Sequence, residues 1–307
     1  VTGATGFIGR ELVCELTGRG EAVIALRRRG RDVQPGVASV AVDLAEASVS
    51  PDLLRGIDVV FHLAGIAHRH ADDGDYRRVN LEATVELATA AAAAGVRCFV
   101  FISSVKAMGP PRGCAPRSEA DCASPVDGYG RSKREAELEL GRRLAETSTG
   151  LVILRPALVY GHGAGGNLAR LAAAQRYRLP RPPRGGGRSM ISLPDLVRLL
   201  CLLAEAPPSG QQTWIVCDGQ CYSFQRIYDA LCREQGRTPG RAWMPPALWR
   251  LAAAVMDLRA PGGGAATFET LFGCENYSNA ALLAATDWSP RLELEDLAVA
   301  SAVTAGR

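Results

Sequence analysis

No stretch of this 307-residue chain holds the roughly 18 consecutive apolar residues of a membrane span, which excludes a transmembrane helix. No charge of one sign dominates: 35 Lys and Arg against 32 Asp and Glu leave a net +3, too little to make nucleic acid or an acidic membrane surface the main partner. The arginine-rich stretches Arg27–Arg31 and Arg176–Arg188 lack the interleaved aromatics of a nucleic-acid surface. Nine cysteines are scattered singly, with no C-x-x-C pair and none beside a histidine at metal-ligand spacing. They are expected to be reduced thiols of a cytoplasmic protein. His62, His68, His70 and His162 fit no usual metal spacing, so no metal is expected. There is no internal repeat, and no signal peptide or basic leader is expected. Val1-Thr2 is expected to end a strand whose first half lies outside this numbering.

What remains is an ordinary globular composition, 47% hydrophobic and 22% charged, which rules out disorder, collagen and a disulfide scaffold. The length suggests about two domains and a core large enough to need no staple. Short apolar runs at Ala22–Leu26, Ser39–Val42, Ile57–Leu63, Cys98–Ser103 and Leu151–Leu154 alternate with helical patterns at Phe7–Thr17, Tyr76–Ala94 and Tyr129–Thr147. Strand–helix alternation predicts a doubly wound, Rossmann-like parallel sheet with crossover helices on both faces, and continuous apolar strands predict burial on both sides. After about residue 160 the pattern loosens. Pro180–Arg188 and Pro261–Gly264 read as loops, Thr213–Cys217 as a strand, and Asp195–Ala206, Ser223–Gln235, Ala247–Met256 and Leu292–Val303 as helices. The expected organisation is a dinucleotide-binding domain over 1–160, with 188–217 returning to it, and a smaller, mostly substrate-binding domain over 161–307.

Two motifs carry chemistry. Val1-Thr2-Gly3-Ala4-Thr5-Gly6-Phe7-Ile8-Gly9 runs from a strand end through three glycines into an amphipathic helix. Gly3 permits a tight turn, Gly6 lets backbone approach a pyrophosphate, and Gly9 lets the helix pack close to the strand, with the helix N-terminus facing the anion. The second strand ends in Arg27-Arg28-Arg29, where an NAD site would place a carboxylate for the ribose hydroxyls. Arginine suits a 2′-phosphate, which tilts the expectation from NAD toward NADP. Further on, Tyr129 and Lys133 share one helix face at i, i+4 spacing. A phenol is a poor base at neutral pH, and a neighbouring ammonium favours the phenolate and makes proton exchange with an alcohol feasible. Ser103 and Ser104, at a strand end, can hydrogen-bond the reacting oxygen.

In this order the motifs resemble those of the extended short-chain dehydrogenases/reductases, of the NAD-dependent epimerase/dehydratase group. The resemblance spans essentially the whole chain. It rests on TGATGFIG (Thr2–Gly9), Val42-Asp43-Leu44, His62-Leu63-Ala64-Gly65, Asn80 in VNLEAT, FISSVKAMG (Phe101–Gly109), YGRSK (Tyr129–Lys133), RPALVYG (Arg155–Gly161), GNLARL (Gly166–Leu171) and RSMISLPDLV (Arg188–Val197). Within the group the chain is most similar to bacterial UDP-glucose 4-epimerase-like enzymes of surface-polysaccharide synthesis.

The resemblance implies roles. Gly3, Thr5, Gly6, Phe7, Ile8 and Gly9 would cradle the cofactor, with Arg27 at its ribose. Asp43 and Leu44 would border the adenine, Leu63, Ala64 and Gly65 would line ribose and phosphate, and Asn80 would support the site from its helix. Ser104 matches the catalytic Ser/Thr, with Ser103 beside it, Tyr129 the acid/base, Lys133 the ligand of the nicotinamide ribose, and Pro156 a neighbour of the nicotinamide. Asn167 and Arg188 would hold the nucleotide diphosphate. Where the group's 4,6-dehydratases carry Asp-Glu after the catalytic Thr, this chain has Val105-Lys106, which excludes dehydration. Met108 and Leu158 replace a tyrosine and an asparagine usual in galactose epimerases. A second phosphate-binding arginine, usual before the segment like Asn276–Ala280, has no evident counterpart. The expected function is 4-epimerisation of a UDP-hexose or UDP-N-acetylhexosamine, in a possible homodimer. Two alternatives stay open: an NADPH-dependent reductase of UDP-4-keto-6-deoxy-hexosamines, and a non-catalytic NADP-binding regulator.

Overall fold

A computed structural model describes residues 1–28, 30, 32–67, 71–165, 168, 171, 180–259 and 267–296. The expectations for Arg29, Arg31, His68, His70, Asn167, Arg176 and the loop Pro261–Gly264 therefore lie outside the described residues.

The first helix, α1, spans Phe7–Gly18 and is followed by β1 (Ile24–Arg27) and β2 (Ala38–Ala41). Then come β3 (Val59–His62), α2 (Asp73–Tyr76), a π turn at Arg77–Glu82 and α3 (Ala83–Ala93). Next are β4 (Cys98–Ile102), α4 (Gly128–Leu144) and β5 (Gly150–Pro156). The second half adds β6 (Leu158–Tyr160), β7 (Gly187–Arg188), β8 (Met190–Ser192), α5 (Leu193–Glu205) and β9 (Gln211–Val216). Helices Phe224–Glu234 and Pro246–Arg259, and β10 (Cys274–Glu275), complete the parts used below.

All ladders of the main sheet are parallel, β1 with β2 and β3–β4–β5–β9 in a row. Thr2 bridges Leu26 on one side and His62 on the other, so the N-terminal strand end joins the two groups. The order is thus β2–β1–Thr2–β3–β4–β5–β9, and the winding reverses at Thr2. The two faces are covered differently. Leu12 and Leu16 of α1 and Leu196, Leu200 and Leu203 of α5 pack on one face, while Leu87 and Ala91 of α3 and Leu140 and Leu144 of α4 pack on the other. This is the doubly wound, Rossmann-like architecture. β4 and β5 are buried along their whole lengths, as continuous apolar runs require.

Two expectations are corrected. Cys114 and Cys274 form a disulfide, so the nine cysteines are not all reduced thiols. The loop after β4 folds across β10 and brings two cysteines 160 residues apart to a Cα separation of 5.0 Å, a proximity no local spacing encodes. In the described part of Leu292–Val303 there is a 3-10 turn at Leu294–Asp296, and the Leu292 N–H donates to Asp195 Oδ2 (3.0 Å); residues 297–303 lie outside the described residues. The helix read over Tyr76–Ala94 is continuous from Asp73 to Ala93 and carries a π turn at Arg77–Glu82 that contains Asn80.

Candidate active site

The glycine turn lies at the winding reversal, the crevice where open parallel sheets bind ligands. Gly3 has φ +66°, and a Cβ there would stand 2.8 Å from the Ala64 nitrogen. A Cβ on Gly9 would stand 2.2 Å from the Gly3 carbonyl oxygen, so the helix reaches the turn only because position 9 has no side chain. The Gly6 N–H donates to Gly3 O (2.9 Å), Thr5 is half-buried, and Phe7 and Ile8 pack into the core. Gly6 caps α1 without a side-chain bond, and the first turn carries no acid. The positive end of the helix thus faces the crevice without a competing carboxylate. This cradle fits a pyrophosphate.

The other cofactor candidates ring the same crevice. Arg27 ends β1, where its Nε donates to Ser39 Oγ (3.1 Å). Asp43 accepts from the Ala45 N–H (3.1 Å), and Leu44 packs against the core behind it. Beyond β3, the N–H of Ala64 donates to Thr2 Oγ1 (3.1 Å) and Leu63 packs inward. Asn80 is fully buried: its Oδ1 accepts from Ile66 N–H (2.8 Å), while its Nδ2 donates to Ile66 O (3.1 Å) and Ser132 Oγ (3.0 Å). It thereby ties the loop after β3 to α4. A Cβ on Gly65 would meet Asn80 Oδ1 at 2.9 Å and Lys133 Nζ at 3.5 Å.

Helix α4 starts where it does because Asp127 caps it, accepting from the Gly130 N–H (2.6 Å). That start puts Tyr129 in the first turn and Lys133 one turn on. Lys133 is 5% exposed; its ammonium donates to Ile102 O (2.8 Å) and lies 4.5 Å from the Phe101 ring centre. Burial lowers it to about 8, against the opposing field of Glu137. Burial pushes the Tyr129 phenol up to about 12, against a hydrogen bond with Ser104 that favours the phenolate. Ser104 also accepts from the Lys106 N–H (3.2 Å), capping the short turn Val105–Met108. Ser103 points the other way, donating to Glu137 Oε1 (2.6 Å). Glu137 is also held by Arg155 (3.0 and 2.8 Å), the residue before Pro156, which ends β5.

On the substrate side, Arg188 sits in β7, paired with β10. Its guanidinium is 3.9 Å from Glu275, which also binds Lys106 Nζ (2.9 Å). Burial would raise the Glu275 carboxyl, but Arg188 and Lys106 outweigh it and hold it below the usual range. Arg117 braces this corner: it is 8% exposed and donates to the carbonyls of Met108, Gly109 and Asp121. Its backbone bridges to Asn276 and Ser278.

The family model for the NAD dependent epimerase/dehydratase family matches residues 1–217. The chain belongs to that family. It is 35% identical over 232 residues to a UDP-glucose 4-epimerase of Vibrio cholerae, covering 71% of this chain and 70% of the relative. It is 31% identical over 254 residues to a dTDP-6-deoxy-L-talose 4-dehydrogenase (NAD(P)(+)) of Kitasatospora kifunensis, covering 77% and 78%. Among solved structures, MoeE5 in complex with UDP-glucuronic acid and NAD superposes with a TM-score of 0.77 at 26% identity, covering 97% of this chain and 95% of that one. The chain is accordingly an NAD(P)-dependent enzyme of the extended short-chain dehydrogenase/reductase type.

The structure brings Ser104 to Tyr129 through a side-chain hydrogen bond and buries Lys133 one helical turn on, while Arg188 and Lys106 meet at Glu275. Three residues of this enzyme's site have no signature in local sequence: Glu137, Arg117 and Glu275. Glu137 reads as one more charge on a polar helix, and Glu275 meets Lys106 from 169 positions away.

Proposed function

We propose that the enzyme oxidises and re-reduces carbon 4 of a UDP-linked hexose or N-acetylhexosamine, that is, that it is a sugar-nucleotide 4-epimerase. The supporting observation is Ser104, Tyr129 and Lys133 assembled beside a pyrophosphate cradle. A bound nicotinamide would supply the acceptor, and then the donor, of the carbon-4 hydrogen. Tyr129 takes the proton from the 4-hydroxyl as the carbonyl forms and returns it on reduction. The Lys133 ammonium lowers the cost of the phenolate and donates to the cofactor ribose. Ser104 holds the reacting oxygen in line with the Tyr129 hydroxyl. Arg188 holds the diphosphate, since an arginine fork matches phosphate oxygens.

A second reading, a one-way 4-keto reductase, has its own support: Arg27 at the ribose end of β1 suits NADP, and the Kitasatospora relative is a 4-dehydrogenase of a deoxysugar nucleotide. A non-catalytic regulator would have no use for the assembled triad. The deciding experiment incubates the protein with UDP-N-acetylglucosamine and UDP-glucose without added nicotinamide. The 4-epimers are expected. No epimer from either, together with NADPH oxidation on adding a UDP-4-keto-6-deoxy sugar, makes the enzyme a reductase.

A homodimer completes the reading. Between α3 and α4 runs a groove of about 560 Å³ in which Leu81, Val85 and the half-exposed Leu138 alternate with Arg77, Glu82 and Arg142. A two-fold interface uses the same patch on both subunits, and a face carrying apolar side chains with charges of both signs suits that use. No described helix is long and apolar enough to cross a membrane.

A further inference from the structure

The chain takes its cations from arginine 33 times and from lysine twice. The two lysines are Lys106 and Lys133, and both stand at the candidate active site. In exposed ion pairs the two residue types are interchangeable, and this protein uses arginine there, as in Arg55–Asp52 and Arg142–Glu139. Lysine differs in being a compact ammonium with three donors that can turn to suit their acceptors. Lys133 uses that difference in its buried contact with the Ile102 carbonyl.

Lys106 has no such burial to account for it. Its side chain is 49% exposed, so its ammonium stays open to solvent on one side while it pairs with the less exposed Glu275. Its position is informative. Lys106 lies two residues after Ser104, in the turn that Ser104 caps. Glu275 stands between Lys106 (2.9 Å) and Arg188 (3.9 Å). The carboxylate thus links the lysine of the Ser104-capped turn to the arginine assigned to the diphosphate. A sugar nucleotide with carbon 4 at Ser104 and Tyr129, and its diphosphate at Arg188, would have its pyranose beside Lys106 and Glu275. An ammonium beside a carboxylate offers a donor and an acceptor together, matching ring hydroxyls or an acetamido group, which also do both. The pair is neutral as a unit, so a neutral sugar can exchange hydrogen bonds with it without stranding a charge, whereas a uronate would face the Glu275 carboxylate.

Resting on the sugar-nucleotide reading above, we propose that Lys106 and Glu275 are the sugar-recognition pair of this enzyme, Lys106 donating to and Glu275 accepting from the substituents of a neutral pyranose between carbon 4 and the diphosphate. Calorimetry on the full chain tests this with UDP, UDP-glucose, UDP-N-acetylglucosamine and UDP-glucuronic acid as ligands. Lys106→Ala should weaken the two neutral UDP-sugars by about tenfold and leave UDP unchanged, the loss expected of one charged hydrogen bond made to the sugar alone. With only two lysines, side-chain labelling of lysine gives two signals, assigned through Lys106→Arg. UDP-N-acetylglucosamine should move the Lys106 signal further than UDP does. Equal losses for UDP and UDP-sugar, no loss for either, identical lysine spectra in the two ligands, or tighter binding of UDP-glucuronic acid than of UDP-glucose would each overturn the assignment while leaving the sugar-nucleotide reading intact. Failure of the unaltered protein to bind UDP or any of the UDP-sugars would overturn both.

Discussion

Two clusters of charge flank the Ser103–Ser104 strand end, and they are built for opposite purposes. Behind it, Glu137 and Arg155 are 2% and 5% exposed, and Glu137 accepts from Ser103 as well. This cluster joins the ends of β4 and β5 to the helix that carries Tyr129 and Lys133. In front of it, Lys106, Glu275 and Arg188 face the crevice at 49%, 21% and 16% exposure, with longer or more open contacts. Charge buried with every partner satisfied sets geometry and is costly to break. Charge left partly in solvent, as at Lys106, is cheaper to break, and so can be given up to a ligand.

The largest expected effect tests the buried cluster. Glu137→Ala strands Arg155 in the interior and should cost about 3–5 kcal/mol of stability. Glu275→Ala, in the open cluster, should cost less than about 1 kcal/mol. Urea unfolding of the two variants measures both; similar losses would erase the distinction between the clusters.

Tyr129→Phe removes one hydroxyl from between the clusters. It should leave folding and cofactor binding in place and reduce turnover by about a hundredfold or more, the scale of a positioned acid/base. Turnover close to that of the unaltered enzyme would remove Tyr129 from the chemistry. In the open cluster, Arg188→Ala should weaken UDP itself by about tenfold, since a charged hydrogen bond to phosphate is lost. Equal calorimetric affinities would show that Arg188 does not hold the diphosphate.

The pH response separates the clusters again. Burial lowers Lys133 from its ordinary 10.5 to about 8, so the folded protein gives up this proton before the unfolded chain does. From this group alone, stability rises with pH between those two values. Cofactor affinity should move the opposite way and fall as pH rises through about 8, because the hydrogen bond to the ribose loses its positive charge. Titrations of NAD(P) across that range check the sign, and a flat profile would take Lys133 off the ribose. The smallest expected effect is on cofactor choice: Arg27→Asp should shift preference from NADP toward NAD, and tighter binding of NAD than NADP by the unaltered protein would overturn the role given to Arg27.

The buried half of this comparison was the more legible one only in part. Continuous apolar runs marked β4 and β5, and the Tyr129–Lys133 spacing marked the helix face, because these signals are local. The carboxylate that locks them, Glu137, carries no pattern of its own. In the second half, β6, β7, β8 and β10 are two or three residues long, too short to show any periodicity. The disulfide and the Lys106–Glu275 pair close over 160 and 169 residues. No window of sequence contains both members.

The sequence by itself determined the alternation of strand and helix, the glycine turn, and the order of serine, tyrosine and lysine along the chain. Each follows from neighbours within one turn or one strand, where backbone sterics and side-chain periodicity act directly. Only the tertiary structure decided that Thr2 marks the reversal of the sheet, that Glu137 ties the ends of β4 and β5 to α4, and that Glu275 stands between Lys106 and Arg188. Those contacts depend on where packed elements place residues far apart in the chain, and burial then sets the chemistry: the same lysine type is lowered to about 8 at position 133 and left half in solvent at position 106.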